Sequence, residues 1–248
     1  MPNKSRRFAW IPDVPDSRDF LYKAVRPPRL RLPQSVDLRA KCSPVEDQGQ
    51  LGSCTANALA GNVEFLDYSP DKKYADVSRL FIYYNERVIE HSVKTDAGAM
   101  LRDGIKTLAK QGVCAEAVWP YNVAQFAKKP SAKCYADGLK RKITTYHRIQ
   151  TLNEMLACLA DGFPFVFGFS VYESFESVKV AKTGVMPAPK KTEKLLGGHA
   201  VMAVGYSLKD KRLIVRNSWG AGWGQKGYFT MPFQCAETQA DDFWTIRK

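Results

Sequence analysis

A cysteine stands at residue 54, directly behind Gln48-Gly-Gln-Leu-Gly-Ser53 and at the head of an alanine-rich stretch with helical spacing. The first turn of a helix carries partial positive charge and favours a thiolate over a thiol. The upstream amide of Gln48, with the backbone N–H of Cys54, could donate to an oxyanion. A thiol at its reference pKa of about 8.5 also needs a base, and the chain offers three histidines, His91, His147 and His199. His91 ends a charged helical pattern, and His147 lies in Thr-Thr-Tyr-His-Arg, a strand edge or loop. His199 follows two glycines and opens the apolar run Ala200–Tyr206, so on position it is the best base. Asn217 ends the next strand pattern and is placed to hold the second ring nitrogen. Trp219 could cover that hydrogen bond and keep water from it. A neutral amide orients an imidazolium without adding a charge that would raise the thiol pKa.

Each of these residues has a plainer reading by itself. A helix-start cysteine is more often structural, and a histidine at a strand start is more often a satisfied polar residue. Asn217 could be a turn residue, and Trp219 and Trp223 could be core. The combination is much harder to obtain by chance.

The elements that must position these groups change character along the chain. Helices are expected at 54–67 (Leu59, Val63, Leu66), 78–91 (Leu80, Phe81, Tyr84, Val88) and 99–111 (Leu101, Ile105, Leu108), with Gly112 at a plausible C′ position and Gly104 as a weak point. A fourth is expected from Thr151, where Glu154 completes a capping box, to about Gly162. Strands are expected at 164–171, 200–206, 212–216, 227–231 and 243–246, the second and third as an antiparallel pair. Helices first and strands later give an α+β chain of two lobes. Residues 1–33, rich in Pro, Arg and Asp, read as an arm with a linker-like Val25–Pro33, and residues 34–248 as the body.

The 248 residues carry a net charge of +12, and the eight Lys/Arg against three Asp of residues 1–33 supply +5 of it. A solvated basic surface accounts for this, since no specific nucleic-acid or membrane motif accompanies the charge. No apolar run approaches the roughly 20 residues that span a bilayer. The basic N-terminus lacks the apolar region of a signal peptide, so a cytoplasmic location is the default expectation, with secretion by another route left open. Six cysteines without a C-x-x-C pair argue against a zinc ribbon or a redox motif, and Cys114 with Cys134 is the first pair to test for a bridge. No cofactor or metal is expected.

The segments Gln-Gly-x-x-Gly-Ser-Cys at 48–54 and Asn-Ser-Trp-Gly-x-x-Trp-Gly-x-x-Gly-Tyr at 217–228, with Gly-Gly-His at 197–199, resemble the papain family of cysteine peptidases, and its bacterial branch in particular. The resemblance covers roughly residues 33–248. It implies the papain-like fold, with an N-terminal helical lobe, a C-terminal antiparallel β lobe and the active site in the cleft between them. It further implies peptide-bond hydrolysis through a thioester acyl-enzyme, with Cys54 as nucleophile, His199 as base and acid, Asn217 as orienter and Gln48 as oxyanion donor. Gly98 is carried over as a substrate-backbone partner, Trp219 and Trp223 as cleft residues, and Asp241 or Asp242 as the floor of a side-chain pocket, where an acid would favour a basic substrate. Peptide or protein substrates follow. Leu51 replaces the signature's first cysteine, so one family disulfide cannot form, and Thr55 replaces an aromatic. The short arm is expected to pack on or near the cleft. A catalytically silent papain-fold binding protein and a Cys–His acyl transferase or deamidase are the competing readings.

Overall fold

A computed structural model describes residues 7–24, 31–68, 71 and 74–248. Most of the expected Val25–Pro33 linker, residues 25–30, lies outside the described residues. Three helices come first: α1 (Cys54–Leu66), α2 (Arg79–Ile89) and α3 (Leu101–Lys110). Ser78 starts α2 by accepting the Phe81 N–H at 3.1 Å. Val88, expected on the buried face of α2, is exposed, because the helix ends one residue later. Gly112 follows α3 at φ +69°, the left-handed C′ conformation its position predicted. Gly104 inside α3 is a close-approach residue: a Cβ there would overlap Leu59 of α1 and sit 2.7 Å from Glu86 Oε2 of α2.

The second half is built on one seven-stranded antiparallel sheet. Its strands are β1 (Ser35–Asp37), β2 (Thr145–Ile149), β3 (Phe165–Tyr172), β4 (Leu195–Ser207), β5 (Arg212–Arg216), β6 (Tyr228–Pro232) and β7 (Ala240–Arg247). They run in the order β2-β7-β3-β4-β5-β6, with β1 also pairing on β4. The expected pairing of β4 with β5 is present, with Met202 opposite Arg216. Helix α5 (Leu152–Ala160) begins where Thr151 accepts the Glu154 N–H at 3.2 Å and ends at Gly162, φ +87°. Three shorter helices, α4 (Ala132–Gly138), α6 (Val178–Thr183) and α7 (Phe233–Thr238), complete the chain. The papain-like α+β class holds, but the two lobes are less segregated than helices-then-strands suggested. Strand β1 lies before the helices in sequence, and α5, α6 and α7 lie among the strands.

Two hydrophobic clusters sit on either side of the sheet. One gathers α1, α2 and α3 with Val166, Ala200, Met202, Val204 and Trp244. The other gathers α5 and α7 with Phe165, Phe167, Phe169, Phe175, Phe229 and Phe243. The arm joins both: Trp10 belongs to the first and Tyr22 to the second. Residues 7–24 are thus part of the packed structure, because they bury side chains against the body and not because of any local periodicity.

Arg216, at the end of β5, ties the lobes together. It donates to the carbonyls of Ser43 and Pro44, the latter at 2.7 Å, and to Ser43 Oγ at 3.1 Å. The Ser43 hydroxyl donates in turn to Glu64 of α1, which also accepts the Val77 N–H at 3.1 Å. Removing one partner of such a buried ionic network strands the rest in low dielectric. Arg216→Met is therefore expected to lower the unfolding free energy by about 3–5 kcal/mol, read as a fall in the urea midpoint at unchanged slope.

Candidate active site

The loop before α1 and the segment after β5 lie side by side. Gln48 N–H donates to Ser218 O at 2.9 Å, Gly220 N–H to Glu46 O at 2.9 Å, and Asp47 bridges Trp219. This pairing brings Gln48 beside Asn217 although the sequence separates them widely. Gln48 is 1 % exposed; its Oε1 accepts the Ser218 hydroxyl at 2.6 Å and its Nε2 donates to Leu51 O at 2.9 Å. The Leu51 carbonyl, which can only accept, fixes Nε2 as the donor end of the amide, and the Ser218 hydroxyl holds the other end, a role that sequence reasoning did not assign to Ser218.

His199 lies within β4, opposite Phe169 of β3, and is fully buried. Its Nε2 is 2.8 Å from Asn217 Oδ1, and that same oxygen accepts the Ser218 N–H at 2.8 Å. Trp219 stacks on the imidazole with ring centroids 4.9 Å apart and 24° between planes. Trp223 packs edge-on behind Trp219 at 4.9 Å and against Phe175 and Phe229, so it supports the covering ring from the core side. The expected pairing of imidazole, amide and covering indole is therefore assembled. His147 lies on β2, and His91 follows α2 at φ 56°.

Cys54 begins α1 and is fully buried. Backbone N–H groups of Ala200, Ala9 and Thr55 lie within hydrogen-bonding reach of its sulfur. Ala200 is the residue after His199, so the Cys54 sulfur lies beside the strand that carries the base candidate. The thiolate expected from the helix terminus is not favoured in this state. Burial pushes the Cys54 thiol up to about 11, outweighing the N–H groups that pull it down. Thr55, where the signature has an aromatic, is buried and donates to Glu86 Oε1 at 2.6 Å. Desolvation raises Glu86 well above the usual carboxylate range.

The burial of Cys54 is completed by the arm. Trp10 N–H donates to Gly198 O at 2.9 Å, Ala99 N–H to Ala9 O at 3.1 Å, and Ile11 N–H to Ala99 O at 3.1 Å. Phe8 meets both His199, at 6.3 Å between centroids, and Trp219, at 6.2 Å. Gly98 has φ +83°, and a Cβ there would overlap Ala9 O. This glycine therefore does face an extended backbone, here the arm's. At Gly168 of β3 the three atoms nearest a built Cβ all belong to the Trp10 indole. Gly98, Gly168 and Gly198 mark the track in the sequence, but only as glycines among many.

The acidic floor resolves into two different residues. Asp241 is 69 % exposed at its side chain and pairs with Arg148 at 3.2 Å. Asp242, at φ 56°, is buried and holds Arg148 at 2.7 Å and the Asp13 N–H at 2.7 Å. A register shift between Val166 and Gly168 in the β3–β7 pairing accompanies this inversion. Asp241 thus points outward and is not a free acid lining the cleft.

All six cysteines are thiols. Cys114 and Cys134 do meet through their side chains, but each also meets a serine hydroxyl, Ser78 and Ser131 respectively, and no bridge joins them. Leu51 fills the place of the absent cysteine and is 3 % exposed. Among the described residues no group of His, Cys, Asp and Glu is arranged to hold a metal ion, and no helix is long and apolar enough to cross a membrane.

Comparison with known proteins gives this geometry its context. Residues 32–240 match the model of the papain family of cysteine proteases. The crystal structure of xylellain, a cysteine protease from Xylella fastidiosa, superposes with a TM-score of 0.89 at 44 % identity, covering 99 % of this chain and 97 % of that one. An uncharacterised peptidase C1-like protein of Acanthamoeba polyphaga mimivirus is 41 % identical over 98 % of this chain and 88 % of its own length. Chymopapain of Carica papaya is 32 % identical over 90 % of this chain and 60 % of its own length. These similarities favour a hydrolase over the silent-binder and acyl-transferase readings, and the chain belongs to the papain family of cysteine proteases.

Proposed function

We propose that the protein cleaves peptide bonds through a thioester on Cys54, and that residues 8–11 of its own arm hold the cleft closed until they are displaced. The observation that carries the first part is the buried contact of His199 Nε2 with Asn217 Oδ1 at 2.8 Å under the Trp219 ring. It leaves Nδ1 as the ring nitrogen for exchange with a thiol. In the open state water returns to the cleft, the desolvation that holds the thiol neutral falls away, and proton transfer from Cys54 to His199 gives a thiolate–imidazolium pair. The thiolate attacks the substrate carbonyl carbon. Negative charge on its oxygen is met by the Gln48 amide and the Cys54 N–H. The imidazolium gives its proton to the leaving amine, and the C–N bond breaks to leave the acyl group on sulfur. His199 then takes a proton from water, whose oxygen attacks the thioester and regenerates the thiol.

The arm contacts support the second part. Phe8 covers His199 and Trp219, Ala9 crosses Cys54, and the Trp10 ring lies over Gly168 and Gly198. Peptide backbone bound there competes directly with substrate backbone for Gly98, Ala99 and Gly198. The six unpaired thiols fit a reducing compartment, which supports a cytoplasmic location.

Cys54→Ala should abolish both peptide hydrolysis and labelling by an epoxide thiol trap. Gln48→Ala should lower kcat by about 10²–10³ while the enzyme still labels. Retained hydrolysis in Cys54→Ala would remove the assignment.

Gly168→Ala should raise turnover of a fluorogenic peptide by at least about tenfold, since the added methyl expels Trp10 and each 1.4 kcal/mol lost from arm docking is a factor of ten. Trp10→Ala should do the same without touching the sheet. Unchanged turnover in Trp10→Ala would show that the arm does not limit access.

A further inference from the structure

Beyond the cleft, one of the points that fasten the arm is a buried carboxylate. Asp13 is fully enclosed at its side chain. Its Oδ1 accepts the Arg102 N–H at 3.1 Å, its Oδ2 accepts the Trp244 indole N–H at 2.8 Å, and its own N–H donates to Asp242 Oδ2 at 2.7 Å. Helix α3 begins at Met100, which provides no side-chain cap, so Asp13 caps it from outside. One residue of the arm therefore grips α3 of the helical lobe and β7 of the sheet at once.

The charges around this clasp do not balance. From the arm comes Asp19, paired with Arg102 at 2.6 Å and Arg148 at 3.3 Å. From β7 come Asp242 and Asp241, both on Arg148 of β2. Asp103 of α3 pairs with Lys106, and Glu90, at the end of α2, accepts the Met100 N–H at 2.7 Å. Arg148 also lies 3.7 Å from Asp13, and Arg87 of α2 acts on Glu90. Six acids thus face four bases, and docking of the arm adds Asp13 and Asp19 to the acids while excluding water. Like charges brought together in low dielectric are costly unless a proton is taken up.

We propose that the clasp makes the arm's grip acid-favoured: it closes the cleft most tightly in mildly acidic solution and loosens as the pH rises through neutrality. This deepens the reading of the arm as an inhibitory segment and rests on it. Burial, and then the charge of Asp13, raises Asp242 to about 6, and burial raises Asp13 as well. Glu90 is raised to about 7, first by burial and then by Asp103, with the arm's Asp13 adding a smaller push. A carboxyl whose pKa is higher in the docked state than in the free state binds extra protons on docking. Its contribution is complete below the free-state value and is lost as the pH climbs through the docked value. The outer pair of Arg7 with Asp96 at 2.6 Å lies apart from this cluster.

Hydrogen exchange in full-length Cys54→Ala, which cannot cut its own arm, reads the grip directly. The reporters are the amides of Trp10, Ile11 and Asp13, corrected for intrinsic exchange rates. Their protection should fall at least about tenfold from about pH 5 to about pH 8, the equivalent of one unit of pKa shift. Asp242→Asn keeps an oxygen for the Asp13 N–H and should flatten that slope, and Glu90→Gln should reduce it. Protection that is constant or rises with pH would overturn the proposal, as would a slope that survives in Asp13→Asn/Asp242→Asn. Epoxide labelling of Cys54 in the active chain separates the two ideas. If the amides loosen as expected and labelling does not follow, the inhibitory reading fails while the clasp stands.

Discussion

The imidazole of His199 must be held at one angle, and everything else in the site follows from how that is done. Its Nε2 meets the Asn217 oxygen at 2.8 Å and its face meets Trp219. Neither contact is local. Asn217 is carried at the end of β5, whose register against β4 sets Met202 opposite Arg216. Trp219 is set by its bridge to Asp47 and by the aromatic packing of Phe175 and Trp223 behind it. The same stretch that orients the base also orients Gln48 through Ser218. His199, Asn217 and Gln48 thus share one hydrogen-bonded unit, and a shift in the β4–β5 register would misplace all three.

Burial has two consequences in the cleft. It excludes water from the His199–Asn217 contact, which strengthens it. It also takes the Cys54 sulfur out of water, and desolvation then opposes the anion more strongly than the helix terminus and neighbouring N–H groups favour it. Burial by distant segments therefore works against ionisation of the Cys54 thiol. The arm passes over Gly98, Gly168 and Gly198, where a side chain would collide with it.

The long helices and strands were legible because each has enough turns or alternations to show its period. Ser78, Thr151, Gly112 and Gly162 punctuate them as their chemistry predicts. Strand β1 and helices α4, α6 and α7 are too short to show a period and exist through their partners. The arm showed no period because prolines and charges interrupt any pattern. Its order comes from Trp10, Asp13 and Tyr22, each buried against residues far away in sequence. The Asp241–Asp242 pair could not be separated by sequence either. A local inversion at φ 56° decides which of two adjacent carboxylates is buried.

The sequence by itself determined the identities of the reacting groups and the elements that carry them, because residue type and short-range spacing encode side-chain chemistry and local hydrogen bonding. Only the tertiary structure decided that burial raises the Cys54 thiol, that the arm packs against Gly98, Gly168 and Gly198, and that Asp13 joins helix α3 to strand β7. Desolvation and charge proximity depend on what distant segments bring to the same place, and no local pattern records that.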